Sequence, residues 1–281
     1  MRFTKAHGTA NDFVVFDDWQ HAITVTAELA RAVCDRRVGV GADGLIRLTP
    51  GTDGADVVME HWNADGSRPE VCGNGLRVVA KHVVDHSLVQ ARHGDTVVVA
   101  TGAGHRTATL EFGNDGRVAT VTVDMGVPVL DAAGEVEVEV GGTTVRLTSV
   151  SMGNPHAVLV VDDVEAADVA GVGAAIEHHS RFPDGTNVEF AQVIDPGRVR
   201  LRVWERGVGE TAACGTGACA TVVALQRAGL VGDDVEVAVR GGTLRIRHEA
   251  GGTVRLSGPA VEVAVGELDD RWLDALASAG A

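Results

Sequence analysis

Lysine is nearly missing from this chain: Lys5 and Lys81 are the only two in 281 residues. A pyridoxal-phosphate enzyme needs a lysine for its Schiff base. Neither lysine stands in a phosphate-binding context, so no cofactor of that kind is expected. Positive charge is scarce altogether, with 24 Lys and Arg against 39 Asp and Glu, a formal net charge of −15. Nucleic-acid binding rests on neutralising phosphates with Lys and Arg, so this balance argues against nucleic acid and equally against an anionic membrane surface. No stretch approaches the roughly 20 apolar residues of a membrane-spanning helix. The first residues, Met1–His7, lack the apolar core of a signal peptide, and a cytoplasmic protein is expected. Four cysteines are too few for a disulfide framework, which fits a reducing compartment. No G-x-S-x-G, phosphate-binding loop or dinucleotide fingerprint is present. The Cys214-x4-Cys219 spacing is not that of a zinc site, no His/Cys cluster converges along the sequence, and no metal is expected.

What the chain does have is a repeat. Trp62 is followed ten residues later by Cys72, and Trp204 ten residues later by Cys214, so both pairs stand 142 residues apart. Each cysteine opens a similar turn, Cys72-Gly73-Asn74-Gly75 and Cys214-Gly215-Thr216-Gly217. Ala10–Val15 matches Gly153–Val158, and Asp43-Gly44 lines up with Asp184-Gly185, all in the same order. A repeat at half the chain length implies a two-domain duplication rather than a solenoid, with a boundary near residues 113–120. The length suits two domains, each with its own core.

Gly, Pro and Asp punctuate many short Val-, Thr- and Leu-rich segments, among them 95–101, 106–112, 118–124, 136–140, 145–150, 157–161, 198–204, 235–239 and 243–248. Several alternate polar and apolar residues as half-buried antiparallel strands do. Gly113–Gly116 and Gly141-Gly142 read as hairpin turns. Helices are fewer. Thr26 caps one that runs to about Cys34. One is expected after Gly75, with Leu76, Val79, Ala80 and Val83 inward, and its counterpart after Gly217, ending near Gly229. Others are expected over about 165–178 and 268–277. Many strands, few helices and no regular alternation predict an α+β fold: two pseudo-symmetric halves, each a curved, mostly antiparallel sheet around a central helix.

Each cysteine turn leads into an apolar helix whose first N–H groups lack intrahelical partners and carry the positive end of the helix dipole. That predicts a lowered thiol pKa and a ready site for a carboxylate. Two such turns aimed at one cavity could straddle the α-carbon of an amino acid. Inverting that carbon needs a base on one face and an acid on the other, and a thiolate opposed to a thiol suffices. Cys34 and Cys219 fall inside apolar helical patterns and read as core residues.

Around these turns the motifs H-G-T-A-N-D-F (His7–Phe13), G-V-G-A-D-G (Gly39–Gly44), N-A-D-G-S…C-G-N-G-x-R (Asn63–Arg77), G-N-P-H (Gly153–His156), G-T-N-V (Gly185–Val188) and E-R-G-V-G-E-T…C-G-T-G (Glu205–Gly217) cover both halves. In them the chain resembles the diaminopimelate epimerase family. The resemblance implies a cofactor-independent epimerase acting on diaminopimelate, commonly a homodimer. It also implies a site in the cleft between the halves and a C-terminal segment that returns to the first half. The implied domains are 1–117 with 266–281, and 118–265. By position, Cys72 and Cys214 are the implied acid/base pair, and His156 and Glu205 the residues that tune it. Gly73, Asn74, Gly215 and Thr216 are the implied cradle for the reacting carboxylate. Asn11, Asn63, Asn154, Asn187, Glu205 and Arg206 are the implied holders of the rest of the substrate. Arg206 offers a fork suited to a distal carboxylate, and Glu205 can meet an ammonium. Two positions depart from the family: Gly44, where many relatives carry Gln, and Arg68-Pro69, where packing alone is expected to change. Gly44 is therefore left out of the implied set.

Two other readings use the same residues. One is a two-cysteine racemase for proline, hydroxyproline or histidine; a monocarboxylate substrate would not need Arg206. The other is a non-catalytic binding or thiol-redox protein, which the paired cysteines and the full cradle argue against.

Overall fold

The computed structural model describes residues 1–69 and 72–279; Gly280 and Ala281, the end of the expected C-terminal segment, lie outside the described residues. The chain opens with β1 (Arg2–Gly8), β2 (Asn11–Asp17), α1 (Ala27–Cys34), β3 (Gly44–Pro50) and β4 (Val57–Asn63). There follow α2 (Gly73–Asp85), β5 (Thr96–Thr101), β6 (Gly104–Phe112), β7 (Val118–Asp124), β8 (Val129–Val140), β9 (Thr143–Ser151) and β10 (Pro155–Val160). Next are α3 (Val169–Glu177), β11 (Asn187–Asp195), β12 (Arg198–Glu205), β13 (Gly209–Thr211) and α4 (Gly215–Arg227). The chain closes with β14 (Asp234–Val239), β15 (Gly242–His248), β16 (Val254–Gly258), β17 (Val261–Glu267) and α5 (Asp270–Ala279).

These elements form two compact units, Met1–Val121 with Pro259–Ala281, and Thr122–Gly258. The boundaries fall at 121/122 and 258/259 rather than 117/118 and 265/266. The second shift is the larger, because all of β17 pairs with β1 and so belongs to the first unit.

In the first unit the strands run β17–β1–β2–β3–β4–β5–β6. In the second they run β8–β9–β10–β11–β12–β14–β15–β16. Both follow the sequence antiparallel, antiparallel, parallel, antiparallel, parallel, antiparallel, and the second unit adds one more antiparallel link, β15–β16. Two parallel links rule out a simple meander, and each is crossed by a helix. The duplication seen in the sequence is therefore a duplication of topology. Its register corrects one of the anchors: Gly44 stands opposite Phe13 and Asn187 opposite His156, so the counterpart of Gly44 is Asn187, not Gly185.

Each sheet has a helix on both faces. In the first unit alternation along β3 and β4 sends Leu45 and Trp62 into a cluster with Leu29 and Val33 of α1. Ile46 and Met59 point the other way and meet the start of α2. In the second unit Val188, Phe190 and Trp204 pack with Val169 and Ile176 of α3. Burying each of these large side chains is worth about 1.5–3 kcal/mol.

Helices α2 and α4 begin at Gly73 and Gly215, three residues before the expected starts. The reason is local: the cysteine side chain is itself the N-cap. Cys72 Sγ accepts the Gly75 N–H at 3.3 Å and Cys214 Sγ the Gly217 N–H at 3.4 Å. Helix α3 begins later than expected, at Val169, because Asp168 is its cap and accepts the Gly171 N–H. Among the described residues no helix is long and apolar enough to cross a membrane.

Candidate active site

The first unit places Cys72, half-buried, at the head of α2. Thr9 and Ala10 form the two-residue turn between β1 and β2, both in the left-handed region at φ 56° and 63°. Neither is glycine, so the turn holds backbone strain of a kind that clusters at functional sites. It delivers Asn11, whose Oδ1 accepts from Asn74 Nδ2 at 3.1 Å and whose Nδ2 donates to Asp43 Oδ2 at 2.9 Å. Asp43 is fixed in turn by Arg36 at 2.8 Å, and Arg36 also holds Asp12 at 2.7 Å. Burial raises the Asp12 carboxyl, but hydrogen bonds from Arg36, Lys5 and Asp43 outweigh it and keep the group well below the usual carboxylate range. Asn63 Nδ2 donates to Ser67 Oγ at 3.0 Å, closing the turn after β4. Beneath the first turn of α2, fully buried Arg77 donates to Thr9 Oγ1 at 2.6 Å.

One residue outside the sequence-derived set, His61, completes this side. His61 stacks edge-on to Phe13 at 5.4 Å, and both of its ring nitrogens are shut off from solvent without a hydrogen-bond partner. Burial, with Arg68 nearby, pushes its pKa down to about 3, so the ring is neutral. It fills the room a side chain at position 44 would need: a Cβ on Gly44 would lie 2.6 Å from His61 Nε2. The Gly44 departure thus has a structural partner. His61, Cys72 and Arg68 line one cavity of about 450 Å3. Arg68 lies 4.3 Å from the centre of the Trp62 ring and 3.3 Å from Glu60.

The second unit builds a connected series of polar contacts at the equivalent place. Cys214 Sγ lies 3.4 Å from Thr216 Oγ1, which accepts from Asn154 Nδ2 at 3.3 Å. Asn154 Oδ1 meets His156 Nε2 at 3.0 Å, and His156 Nδ1 meets Glu189 Oε1 at 2.7 Å. His156 and Glu189 are completely buried. Glu189 was not singled out in the sequence because it stands 33 residues beyond His156 and joins it only through the parallel β10–β11 pairing. Gly217 is required here, since a Cβ would come within 2.6 Å of Glu189 Oε1.

The lowered thiol pKa expected at Cys214 is not found. Burial, then Glu205 and Glu189, push it well above the usual thiol value, and the Thr216 hydroxyl and Gly217 N–H only partly offset them. Burial, with the Glu205 and Glu189 carboxylates added, outweighs one helix N-terminus, and the group rests as a thiol.

Asn187 acts as a clamp. Its Nδ2 donates to Pro155 O at 2.9 Å and its Oδ1 accepts the Arg206 N–H at 3.0 Å. Glu205 accepts from Thr211 Oγ1. A further residue outside the sequence-derived set, Glu177 at the end of α3, accepts from Trp204 Nε1 at 2.7 Å and from the Gly207 N–H at 2.8 Å. The segment Trp204–Gly207 is thereby held from both sides. Cys34 and Cys219 are buried core residues, and burial pushes Cys34 up to about 12.

A family model described as diaminopimelate epimerase matches residues 3–130 and 148–263. A diaminopimelate epimerase of Desulfovibrio desulfuricans is 45% identical over 95% of this chain and 98% of its own length. One of Aromatoleum aromaticum is 47% identical over 96% and 99%. Among solved structures, a hydroxyproline epimerase from Agrobacterium vitis superposes with a TM-score of 0.71 at 18% identity, covering 95% of this chain and 91% of that one. A PhzF-family phenazine biosynthesis protein from Bacillus anthracis gives 0.71 at 12% identity, covering 96% and 99%. At such identities these structures establish the fold alone.

Proposed function

The chain belongs to the diaminopimelate epimerase family, and on that premise we propose that it interconverts LL- and meso-2,6-diaminopimelate, a step in making lysine and peptidoglycan precursors, by removing the proton from one α-carbon and returning it on the opposite face. The observation that carries the reading is the matched pair of cysteine-capped helices, α2 and α4, each with a thiol sulfur at the head of its first turn.

In the proposed reaction one cysteine thiolate takes the α-proton and becomes a thiol. The other thiol gives its proton to the opposite face and becomes the thiolate, so the reverse reaction exchanges the roles. Cys214, resting as a thiol, starts as the donor, and Cys72 starts as the base. Charge developing on the α-carboxylate is met by the first-turn N–H groups at Gly73-Asn74 and Gly215-Thr216. No cofactor enters this scheme. Asn11 and Asn154 border those turns, and Asn63 and Asn187 fix the segments beside them. Arg206 and Glu205 meet the distal carboxylate and ammonium, which a monocarboxylate amino acid would leave without a use. His156 and Glu189 support Cys214 from beneath.

We also place the enzyme in the cytoplasm as a homodimer. The alternate residues Val261, Val263 and Val265 of β17 stand exposed in a row and offer an apolar surface for association. Sedimentation at twice the chain mass is the expected result.

The deciding experiment is exchange in deuterated water without added cofactor, offering LL-diaminopimelate and, in parallel, proline, hydroxyproline and histidine. One deuterium at one α-carbon with meso product is expected. Cys72→Ala and Cys214→Ala should each lower the rate by about 10²–10⁴. Exchange confined to one of the other three amino acids, or none with reduced protein, would overturn the reading.

A further inference from the structure

The C-terminal end of α2, opposite the end that carries Cys72, brings together a donor set that the reaction does not use. His82 and His86 stand one turn apart on the same face of the helix, and β17 sets Glu262 between them. His82 Nδ1 lies 2.6 Å from Glu262 Oε1, and His86 Nε2 lies 3.1 and 3.0 Å from the two carboxylate oxygens. The ligand atoms of all three residues lie within 4.8 Å of one another. The sequence concealed the group because Glu262 is 180 residues from His82.

We propose that His82, His86 and Glu262 bind one divalent cation of the zinc class, which ties the end of α2 to β17.

Four observations carry this. Two imidazoles and a carboxylate are a zinc-type donor set, and they discriminate against magnesium and calcium, which take oxygen ligands. His82 is oriented as a ligating histidine should be: its other ring nitrogen, Nε2, lies 2.8 Å from Asp17 Oδ1, the carboxylate partner that sets ring direction in such sites. The charges suit the ion, with Asp17 and Glu262 supplying two negatives at the negative end of the α2 dipole. The group is also reachable, since Asp17 and His86 line a cavity of about 600 Å3 open to solvent.

The adjustment required is small. Two ligands about 2.1 Å from a tetrahedral ion lie roughly 3.4 Å apart. The His82–Glu262 pair must open by less than an ångström, and the His86–Glu262 pair by less still. The ion takes the place of the proton between His82 Nδ1 and Glu262, which is released to solvent. A water completes the coordination.

The test is a Zn²⁺ titration of the full chain carrying Cys72→Ala and Cys214→Ala, so that the thiols of the proposed reaction cannot hold the ion, with calorimetry and the unfolding midpoint as readouts. One ion per chain and a midpoint that rises with free Zn²⁺ are expected, with no response to Mg²⁺. Asp17→Asn should weaken binding about 10–100-fold. His86→Ala, at a partly exposed position where the fold tolerates truncation, should weaken it at least as much, and so should the conservative Glu262→Gln. The proposal is overturned if Zn²⁺ binds equally well in these variants, binds only when the two cysteines are present, or does not bind.

Discussion

Toward α2 the first sheet presents Phe13, Ile46 and His61; toward α4 the second presents, at the same three positions, His156, Glu189 and Val203. The backbone scaffold is common to both, and so is the cysteine cap. Beneath the caps the chemistry is inverted. The second unit pairs its histidine with a buried acid and links the pair through Asn154 and Thr216 to its thiol. The first unit keeps a histidine among apolar neighbours and gives it no acid. The duplication preserved what places the thiols and let what supports them diverge. A two-base reaction accommodates this well, because the two cysteines must differ in protonation when substrate binds even where their turns look alike.

The comparison can be broken most forcefully in the second unit. Glu189→Ile leaves His156 buried without its partner and should cost about 3–5 kcal/mol in denaturant unfolding. Adding His156→Phe installs the arrangement of the first unit and should recover most of that loss. If the effects of the two substitutions simply add, the pair is not coupled and the comparison fails. In the first unit, Gly44→Ala should cost about 1–3 kcal/mol by overpacking against His61. A second change, His61→Val, as in the other unit, should relieve it, and a neutral Gly44→Ala would show that the ring does not hold that space.

Thiol chemistry probes the caps themselves. With iodoacetamide at pH 8, half-buried Cys72 should be alkylated at least about tenfold faster than buried Cys214, and Cys34 slower still. Mass mapping of the modified peptides reads the order, and equal rates at Cys72 and Cys214 would mean that the two caps are alike at rest. The smallest effect concerns acid. Asp12 anchors the turn that carries Asn11, whereas its counterpart in the second unit is the uncharged Pro155. Since the Asp12 carboxyl is lowered in the folded protein, its contribution is present above its unfolded value near pH 4 and fades as the pH falls toward the folded value. The unfolding midpoints of wild type and Asp12→Asn should therefore differ at pH 7 and draw progressively closer as the pH falls below about 4.

Much of this was legible in the sequence where cause and effect are local. The cysteine turns, the Thr26 cap, the hairpin at Gly141-Gly142 and most of the strands rest on neighbouring residues. The helix starts were misplaced because cysteine is an uncommon cap, and two glycines in a first turn read as loop. Three features depend on register between distant segments: Glu189 under His156, His61 in the space beside Gly44, and Glu262 at the end of α2. A one-residue slip would send each side chain to the other face of its sheet, and no local pattern fixes that choice. The raised Cys214 thiol is likewise hidden from a local pattern, since its largest cause is burial in the folded packing and Glu189 reaches it only through strand register.

The position of β17 has a consequence for how the protein is made. The first unit lacks its edge strand, and the carbonyl of Pro259 that accepts from the buried Arg77, until the last part of the chain has left the ribosome. The second unit is continuous, Thr122–Gly258, and its synthesis occupies about 7–27 s at roughly 5–20 residues per second. During that interval the half translated first waits with an open edge at β1, while the half translated second has all its strands in hand. The nascent molecule thus carries an incomplete first half throughout the synthesis of its second.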